Sequence, residues 1–172
     1  MLNKSRITIA SIVSTTMVVI FTALMLSSNG LTSLVFAQGP PTITINLTGS
    51  EEVPPVQTEA TGMAEFIPLG MDSIVYSVNA TNIEGVTAGH IHLGAKGENG
   101  PIVVTLFKYD TPMNEVSENG TITADKLEGP MAGKQIFDLA TAGANGTLYV
   151  NVHTEQNPNG EIRGQGESPP AE

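Results

Sequence analysis

The sequence predicts an all-β fold, an antiparallel, Greek-key-like β-sandwich of about eight short strands. Apolar and polar residues alternate along several segments; in residues 42–48, for example, Ile43, Ile45 and Leu47 share one face. Gly, Pro and Asn interrupt these segments at short intervals. The chain carries no long amphipathic helical pattern outside its first residues, and many short strands separated by turns are typical of an antiparallel sandwich.

The predicted strands follow from this alternation and from the turn residues between them. They cover residues 42–48, 61–67, 73–80, 86–93, 101–107, 120–124, 147–154 and 161–165. Val103 and Val104 make the fifth strand apolar on both faces, which predicts a central position in the sheet. Residues 109–119 are polar and irregular, and residues 125–142 are expected to form a loop with one helical turn at 136–140.

The first 37 residues differ from the rest of the chain. Lys4 and Arg6 precede residues 7–26, which are uncharged and mostly aliphatic, and Val35-Phe36-Ala37 suits a signal peptidase. Cleavage is expected, with an uncleaved membrane anchor as the alternative, because twenty residues can just span a bilayer. Either outcome predicts a secreted or cell-surface domain, with residues 38–41 as linker, 42–165 as the domain and 166–172 as a flexible tail.

The charge of the domain narrows its partners. The chain has 7 basic and 17 acidic residues, and Lys4 and Arg6 belong to the leader, which leaves a net charge near −12. Nucleic acid is therefore excluded as a partner, because it requires a basic surface. Contact with a membrane is expected only through an uncleaved N-terminal segment. The chain has no cysteine, so disulfides and thiolate chemistry are excluded as well.

All three histidines lie in two predicted strands, at His90, His92 and His153. Residues i and i+2 of a strand project from one face, so His90 and His92 point together, away from the core. Tyr149, Asn151 and His153 take the face opposite Leu148, Val150 and Val152. If the two strands are neighbours, three imidazoles gather on one patch, a ligand set that suits zinc or copper(II). A water or the Glu161 carboxylate would fill a fourth position.

A purely structural role is the alternative for these polar residues. Histidines beside Asn and Thr often bond to backbone groups or to Glu, since buried polar groups need partners. Arg163 shares a face with Glu161 and Gln165, and an ion pair with Glu161 is expected to brace the last strand, with a ligand-binding role for Arg163 as the alternative. The glycine-rich residues 94–100 lack the spacing of a phosphate-binding loop and are predicted to connect a hairpin.

Signals for an enzyme are weak, and no catalytic residue is assigned. The sequence has neither a Gly-x-Ser-x-Gly elbow nor a His-Glu-x-x-His motif. Four Asn-x-Thr sequons are candidate glycan acceptors in an exported protein, two on outward strand faces (Asn46 and Asn79) and two expected at turns (Asn119 and Asn145).

Several separated motifs resemble the CHRD (chordin-type) domain, in order along residues 42–165. They are residues 47–56 (LTGSEEVPPV), 88–94 (AGHIHLG), 99–103 (NGPIV), 149–154 (YVNVHT) and 157–165 (NPNGEIRGQ). The resemblance implies an extracellular β-rich module without an established catalytic activity, in a single-domain microbial form. Growth-factor antagonism is not implied, because the cysteine-rich domains that accompany the module in chordin have no counterpart here. Glu52, Asn151, Glu161 and Arg163 belong to these motifs and are expected to maintain the fold.

Three functional hypotheses follow. The first is an exported, non-enzymatic binding or structural module with an unidentified protein or cell-surface partner. The second is a copper- or zinc-binding protein that uses His90, His92 and His153. The third is a metalloenzyme, because His-x-His on a β-strand is also similar to copper–zinc superoxide dismutase. The chain departs from that family in having three histidines and no cysteine, too few ligands for its two-metal site.

Overall fold

The computed structural model describes residues 41–166. The predicted leader, most of the linker and most of the C-terminal tail lie outside this range. Within it, no helix combines the length and the apolar composition needed to cross a bilayer. The strands are β1 (Ile43–Thr48), β2 (Thr61–Leu69), β3 (Ser73–Thr81), β4 (Val86–Leu93), β5 (Ile102–Met113), β6 (Val116–Thr123), β7 (Leu148–Thr154) and β8 (Ile162–Gln165). One α-helix, α1 (Ile136–Ala144), and three short 3-10 turns (Gly49–Glu51, Ala124–Lys126 and Gly129–Met131) complete these elements.

The eight strands form one antiparallel sheet in the order β5-β4-β7-β8-β1-β2-β3-β6. The all-β antiparallel prediction is confirmed, but the strands form a single continuous sheet that is nearly barrel-shaped, where a sandwich would have two sheets. Side chains link the two ends of the order. Tyr109 of β5 donates to the Glu118 Oε1 of β6 at 2.9 Å, and Tyr76 of β3 donates to the Leu106 carbonyl of β5.

The inner face of the curved sheet carries the hydrophobic core. Alternate residues of the strands point inward and are almost fully buried, which confirms the predicted inward positions of Ala64, Phe66, Ile74, Tyr76 and Val78. Burial of this apolar surface is the main driving force of folding. The core leaves the outer face of β4, β7 and β8 free for polar side chains.

Strand β5 lies at one end of the sheet order, so its predicted central position is wrong. The apolar pair that suggested it has another cause. His92 pairs with Ile102 and Ile91 pairs with Val104, which leaves Val103 as an extra residue in β5. Such a bulge shifts the alternation by one position, and therefore both valines are buried at the edge of the sheet.

Residues 109–119, predicted to be irregular, belong mainly to strands. β5 continues to Met113 and β6 begins at Val116, because their polar residues lie on exposed faces of paired strands. The helical turn predicted at 136–140 is a helix that extends to Ala144. It begins with a capping box, in which the Asp138 carboxylate accepts the Gln135 backbone N–H at 2.8 Å.

Candidate metal centre

Strands β4 and β7 are direct antiparallel neighbours, which brings all three histidines together as face parity predicts. His90 pairs with Asn151 and His92 pairs with Tyr149 on the outer face of the sheet. His153 lies diagonally across from His90, opposite the small residue Ala88. The alternating residues Gly89 and Ile91 face the core, so the two strands present an apolar inner face and a polar outer face.

The three imidazoles form a compact group, called here the histidine cluster (His90, His92 and His153). Ring centroids are 4.7 Å apart for His90 and His153, and 5.8 Å apart for each of the other two pairs. One ring nitrogen from each histidine lies within 4.8 Å of the other two. Imidazole nitrogens at this separation can converge on one ion with a small side-chain adjustment.

Backbone carbonyls fix the orientation of two of the rings. The Nδ1 of His92 lies 2.8 Å from the Gly100 carbonyl, and the Nδ1 of His153 lies 3.0 Å from the Pro158 carbonyl. A carbonyl can only accept, so each Nδ1 carries the proton and each Nε2 carries a free lone pair. A carbonyl behind a histidine commonly holds a metal-ligating ring in this tautomer.

The remaining buried ring nitrogens have no partner among residues 41–166. They are the Nε2 atoms of His92 and His153 and the Nδ1 atom of His90. Burial lowers the pKa of His90 to about 3, and the imidazoles of His153 and His92 add to the decrease. Burial is also the main reason that the pKa values of His92 and His153 are lowered. All three rings are therefore neutral at pH 7, as ligation of a metal requires.

Tyr149 of β7 and Arg163 of the neighbouring strand β8 support the cluster. The Tyr149 ring stacks on His92, with centroids 4.8 Å apart and planes 11° apart, and Arg163 Cζ lies 3.5 Å from the Tyr149 ring centroid. The sequence assigned no role to Tyr149, although parity placed it on this face. The Tyr149 hydroxyl accepts the Gly100 N–H at 3.0 Å, so one side chain holds both His92 and the loop behind it.

Arg163 is 1 % exposed, and its partners differ from the expected ion pair with Glu161. Its guanidinium donates to Asn99 Oδ1 at 3.1 Å and, within the glycine-rich segment, to the Glu98 carbonyl at 2.9 Å and the Ala95 carbonyl at 3.4 Å. It also donates to Gln165 Oε1 at 3.3 Å. The planar fork of Arg thus anchors the loop of residues 94–100. This loop joins β4 to its antiparallel partner β5, which confirms the predicted hairpin connection.

Glu161 does not lie at the expected fourth ligand position, because other groups bond to its carboxylate. Its Oε1 accepts the Thr58 hydroxyl at 2.7 Å, and its Oε2 accepts the Thr154 hydroxyl at 2.8 Å and the Asn157 amide at 3.2 Å. These contacts tie the segment before β2 and the turn after β7 to the last strand. Glu161 is therefore a structural brace.

Glu52, unlike Glu161, lines the same pocket as His92 and His153. It is 5 % exposed, its Oε1 has no hydrogen-bond partner among the described residues, and the same is true of Asn151 Oδ1. Burial raises the pKa of Glu52 to about 7, against the opposing effects of Arg163 and the Val53 and Asn151 hydrogen bonds. The pocket that Glu52 shares with His92 and His153 is open to solvent, and Tyr149 also lines it. The sequence identified Glu52 only as a residue of a structural motif.

Two glycines allow the close approaches that this arrangement needs. A Cβ at Gly89, between the two strands' inner side chains, would overlap the Phe107 ring. Gly160 has φ of +128°, and a Cβ there would overlap the Glu52 carboxylate and lie 2.6 Å from Asn151 Nδ2. A side chain at Gly89 would displace Phe107 of the core, and a side chain at Gly160 would displace Glu52 and Asn151 beside the histidine cluster.

The four sequon asparagines are all exposed. Asn46 and Asn79 lie on outward strand faces as predicted. Asn119 is part of β6, opposite Ser77, so its expected place in a turn is wrong. Asn145 follows α1 directly as its C-cap.

Comparison with known proteins gives one result that bears on identity. The family model described as the CHRD domain matches residues 43–165. Searches of curated protein sequences and of solved structures gave no match. The family match covers most of the chain and the whole of the described sheet, from β1 to β8. The chain belongs to the CHRD domain family.

Proposed function

We propose that this CHRD domain is an exported, non-enzymatic binding module whose histidine cluster holds a zinc or copper(II) ion. The observation that carries the proposal is the convergence of three neutral imidazoles, each of which has one buried ring nitrogen with no hydrogen-bond partner among the described residues. A structural role alone explains the two carbonyl-bonded Nδ1 atoms of His92 and His153. It does not explain why the three other nitrogens are desolvated without compensation, since unpaired buried polar atoms are costly.

The donor set fits the proposed metals. Imidazole nitrogen is a preferred ligand of zinc and copper(II), whereas calcium and magnesium prefer oxygen. Tetrahedral zinc with Zn–N bonds of about 2.0–2.1 Å places its nitrogens about 3.4 Å apart. The ligand atoms here lie within 4.8 Å of one another, so modest side-chain rotation closes the site.

The surroundings also favour a cation. The chain has a formal net charge of −10, which attracts positive ions. His92 and His153 line a pocket that opens to solvent, so an ion has a path to the cluster. With three protein ligands, a water or a ligand from that pocket would complete the coordination, and Glu52 lies in the same pocket to accept a hydrogen bond from it.

Export rests on the basic and apolar pattern of residues 1–37 and on the extracellular occurrence of CHRD domains. The non-enzymatic assignment rests on the family and on the sequence, which lacks the nucleophile and zinc-protease motifs described above. The partner of the module is proposed to be a protein or another component at the cell surface.

The experiment is thermal unfolding of metal-stripped protein titrated with zinc(II) and copper(II), together with calorimetry to count the sites. We expect a saturable rise in melting temperature at one equivalent of metal. His92→Asn is the decisive variant, because the Asn amide can replace Nδ1 as donor to the Gly100 carbonyl but offers no nitrogen at the Nε2 position. It should unfold close to the wild-type apo temperature and lose the metal-dependent rise.

His92→Ala is the companion variant, which should lose both the metal response and part of the apo stability. Asn99→Ala removes another polar residue of the same pocket without removing a ligand, and it should keep a response to one equivalent of metal. No saturable shift with either ion in the wild-type protein would refute the proposal. A shift that His92→Asn retains would place the ion elsewhere.

A further inference from the structure

A second cavity lies on the opposite side of the sheet, between its inner face and α1. Its volume is about 180 Å³, and its lining includes Ile45, Phe66, Ile74, Ile91, Leu139 and Val150. No charged side chain contributes to the lining. The histidine cluster and this cavity therefore use opposite faces of β4 and β7, one polar and one apolar.

The chemistry of the lining decides what can occupy this space. A buried water needs two to four polar partners, and an apolar cavity of about 150 Å³ stays dry and accepts benzene or xenon. Tyr149 carries the one side-chain polar group of the lining, and its hydroxyl is bonded to Gly100 on the other side of the sheet. The cavity thus suits an uncharged molecule that forms no hydrogen bonds.

The composition of α1 keeps the space open. The helix turns Ala140, Gly143 and Ala144 toward the cavity, while Phe137, its largest side chain, is 58 % exposed. A helix that served only to close the core would be expected to bury its aromatic residue and fill the gap. Ile43, at the edge of the cavity, is 46 % exposed, which provides an apolar entrance.

We propose that this cavity binds a small, uncharged, apolar molecule, about the size of a monocyclic arene or a short hydrocarbon chain. Small β-barrels can hold one such ligand in their interior. The site is separate from the histidine cluster and needs no metal, so the proposal stands or falls independently of the metal proposal.

The test uses metal-free, full-length protein with toluene as the probe and phenol as its control. Phenol has nearly the same shape but carries a hydroxyl that finds no partner in the cavity. Toluene near its solubility limit should raise the melting temperature by about 2–5 °C, whereas phenol should leave it unchanged or lower it. Calorimetric titration with toluene should give one site.

Gly143→Leu is the filling variant. A Cβ at Gly143 would meet only Leu148 Cδ1, at 3.6 Å, so a larger side chain there can extend into the cavity. The variant should lose the response to toluene while remaining as stable as the wild type or becoming more stable. Thr141→Leu makes a similar change on the exposed side of the same helix and should keep the response.

Ile74→Ala tests the site in the opposite direction, and it decides the question if Gly143→Leu fails to fold. Ile74 is 6 % exposed and lines the cavity, so its truncation enlarges the space. The variant should bind n-propylbenzene at least fivefold more tightly than the wild type does. The proposal is overturned if toluene causes no shift in the wild type, if Gly143→Leu keeps the full shift, or if Ile74→Ala leaves the size preference unchanged.

Discussion

Replacing Arg163 by Lys should weaken both the fold and the histidine cluster, although the charge is kept. The guanidinium makes four hydrogen bonds, at 2.9 to 3.4 Å, and stacks on Tyr149 at 3.5 Å. A lysine ammonium on a flexible stem can satisfy one or two of these acceptors and cannot reproduce the planar fork. The other acceptors would remain buried without a charged donor.

The expected loss of stability in Arg163→Lys follows from the contacts that the substitution removes. A hydrogen bond to a charged group contributes about 1.5–3 kcal/mol, and the shorter two of the four are the least replaceable. Loss of one strong bond and weakening of a second, together with a poorer cation–π contact, gives about 3 kcal/mol. For a domain of this size that corresponds to a decrease in melting temperature of roughly 10 °C.

Urea unfolding at pH 7.5 without metal measures the first effect, and zinc titration measures the second. Because Arg163 holds Tyr149 and the loop whose Gly100 carbonyl orients His92, metal affinity should also fall, about tenfold. Lys96→Gln is the control: Lys96 pairs with Glu51 at 3.6 Å on the surface, with side chains 69 % and 39 % exposed. It should change stability by less than about 0.5 kcal/mol. A loss below 1 kcal/mol for Arg163→Lys would refute this account of the buried arginine.

Three further changes test the surroundings of the cluster. The folded carboxyl of Glu52 (pKa about 7) binds its proton more tightly than the unfolded one (4.5), so the wild type loses stability as the pH rises from 4.5 through 7. Glu52→Gln removes this loss. The free energy of unfolding of the apo variant relative to the wild type, measured in urea, should therefore be higher at pH 8 than at pH 4 by on the order of 2 kcal/mol. The apo wild type should also lose stability as the pH falls from 6.5 toward 3, because His90 becomes protonated in the unfolded state but stays neutral in the folded state. In His90→Gln the free energy of unfolding should decrease less over the same pH range. Gly89→Ala should cost about 2–4 kcal/mol through its clash with Phe107, and the double variant with Phe107→Leu should recover part of that loss. An additive double variant would show that the two residues do not compete for space.

The parts of the fold that the sequence could predict are those set by local alternation. β4 has the predicted bounds, and the strands that carry Ile74, Tyr76 and Val78 or Ala64 and Phe66 bury the expected faces. The alternation of apolar and polar residues along a strand depends only on neighbouring residues, so it can be recognised without knowing which strands pair. Closure of the sheet into a near-barrel depends on which strands meet at long range, and no local pattern encodes that choice.

The errors have the same physical origin. Two adjacent apolar residues, Val103 and Val104, are typical of a central strand that is buried on both faces. A bulge that inserts one residue into an edge strand gives the same pair, so the sequence does not distinguish the two. The predicted partner of Arg163 was Glu161, a nearby charge on the same face. Its real partners are mostly backbone carbonyls and amide oxygens of a loop some 65 residues away in the chain, and carbonyls have no signature in a sequence.

The sequence predicts that the three histidines are either structural or metal-binding, but it does not decide between these two roles. A sequence counts histidines, whereas the choice between a structural and a metal-binding role concerns individual ring nitrogens. In His92 and His153 one nitrogen donates to a backbone carbonyl, as the structural hypothesis expects, while the other is buried without a partner, as the metal hypothesis expects. The two roles are therefore compatible within one ring. Only a substitution that keeps one nitrogen and removes the other, such as His92→Asn, separates them.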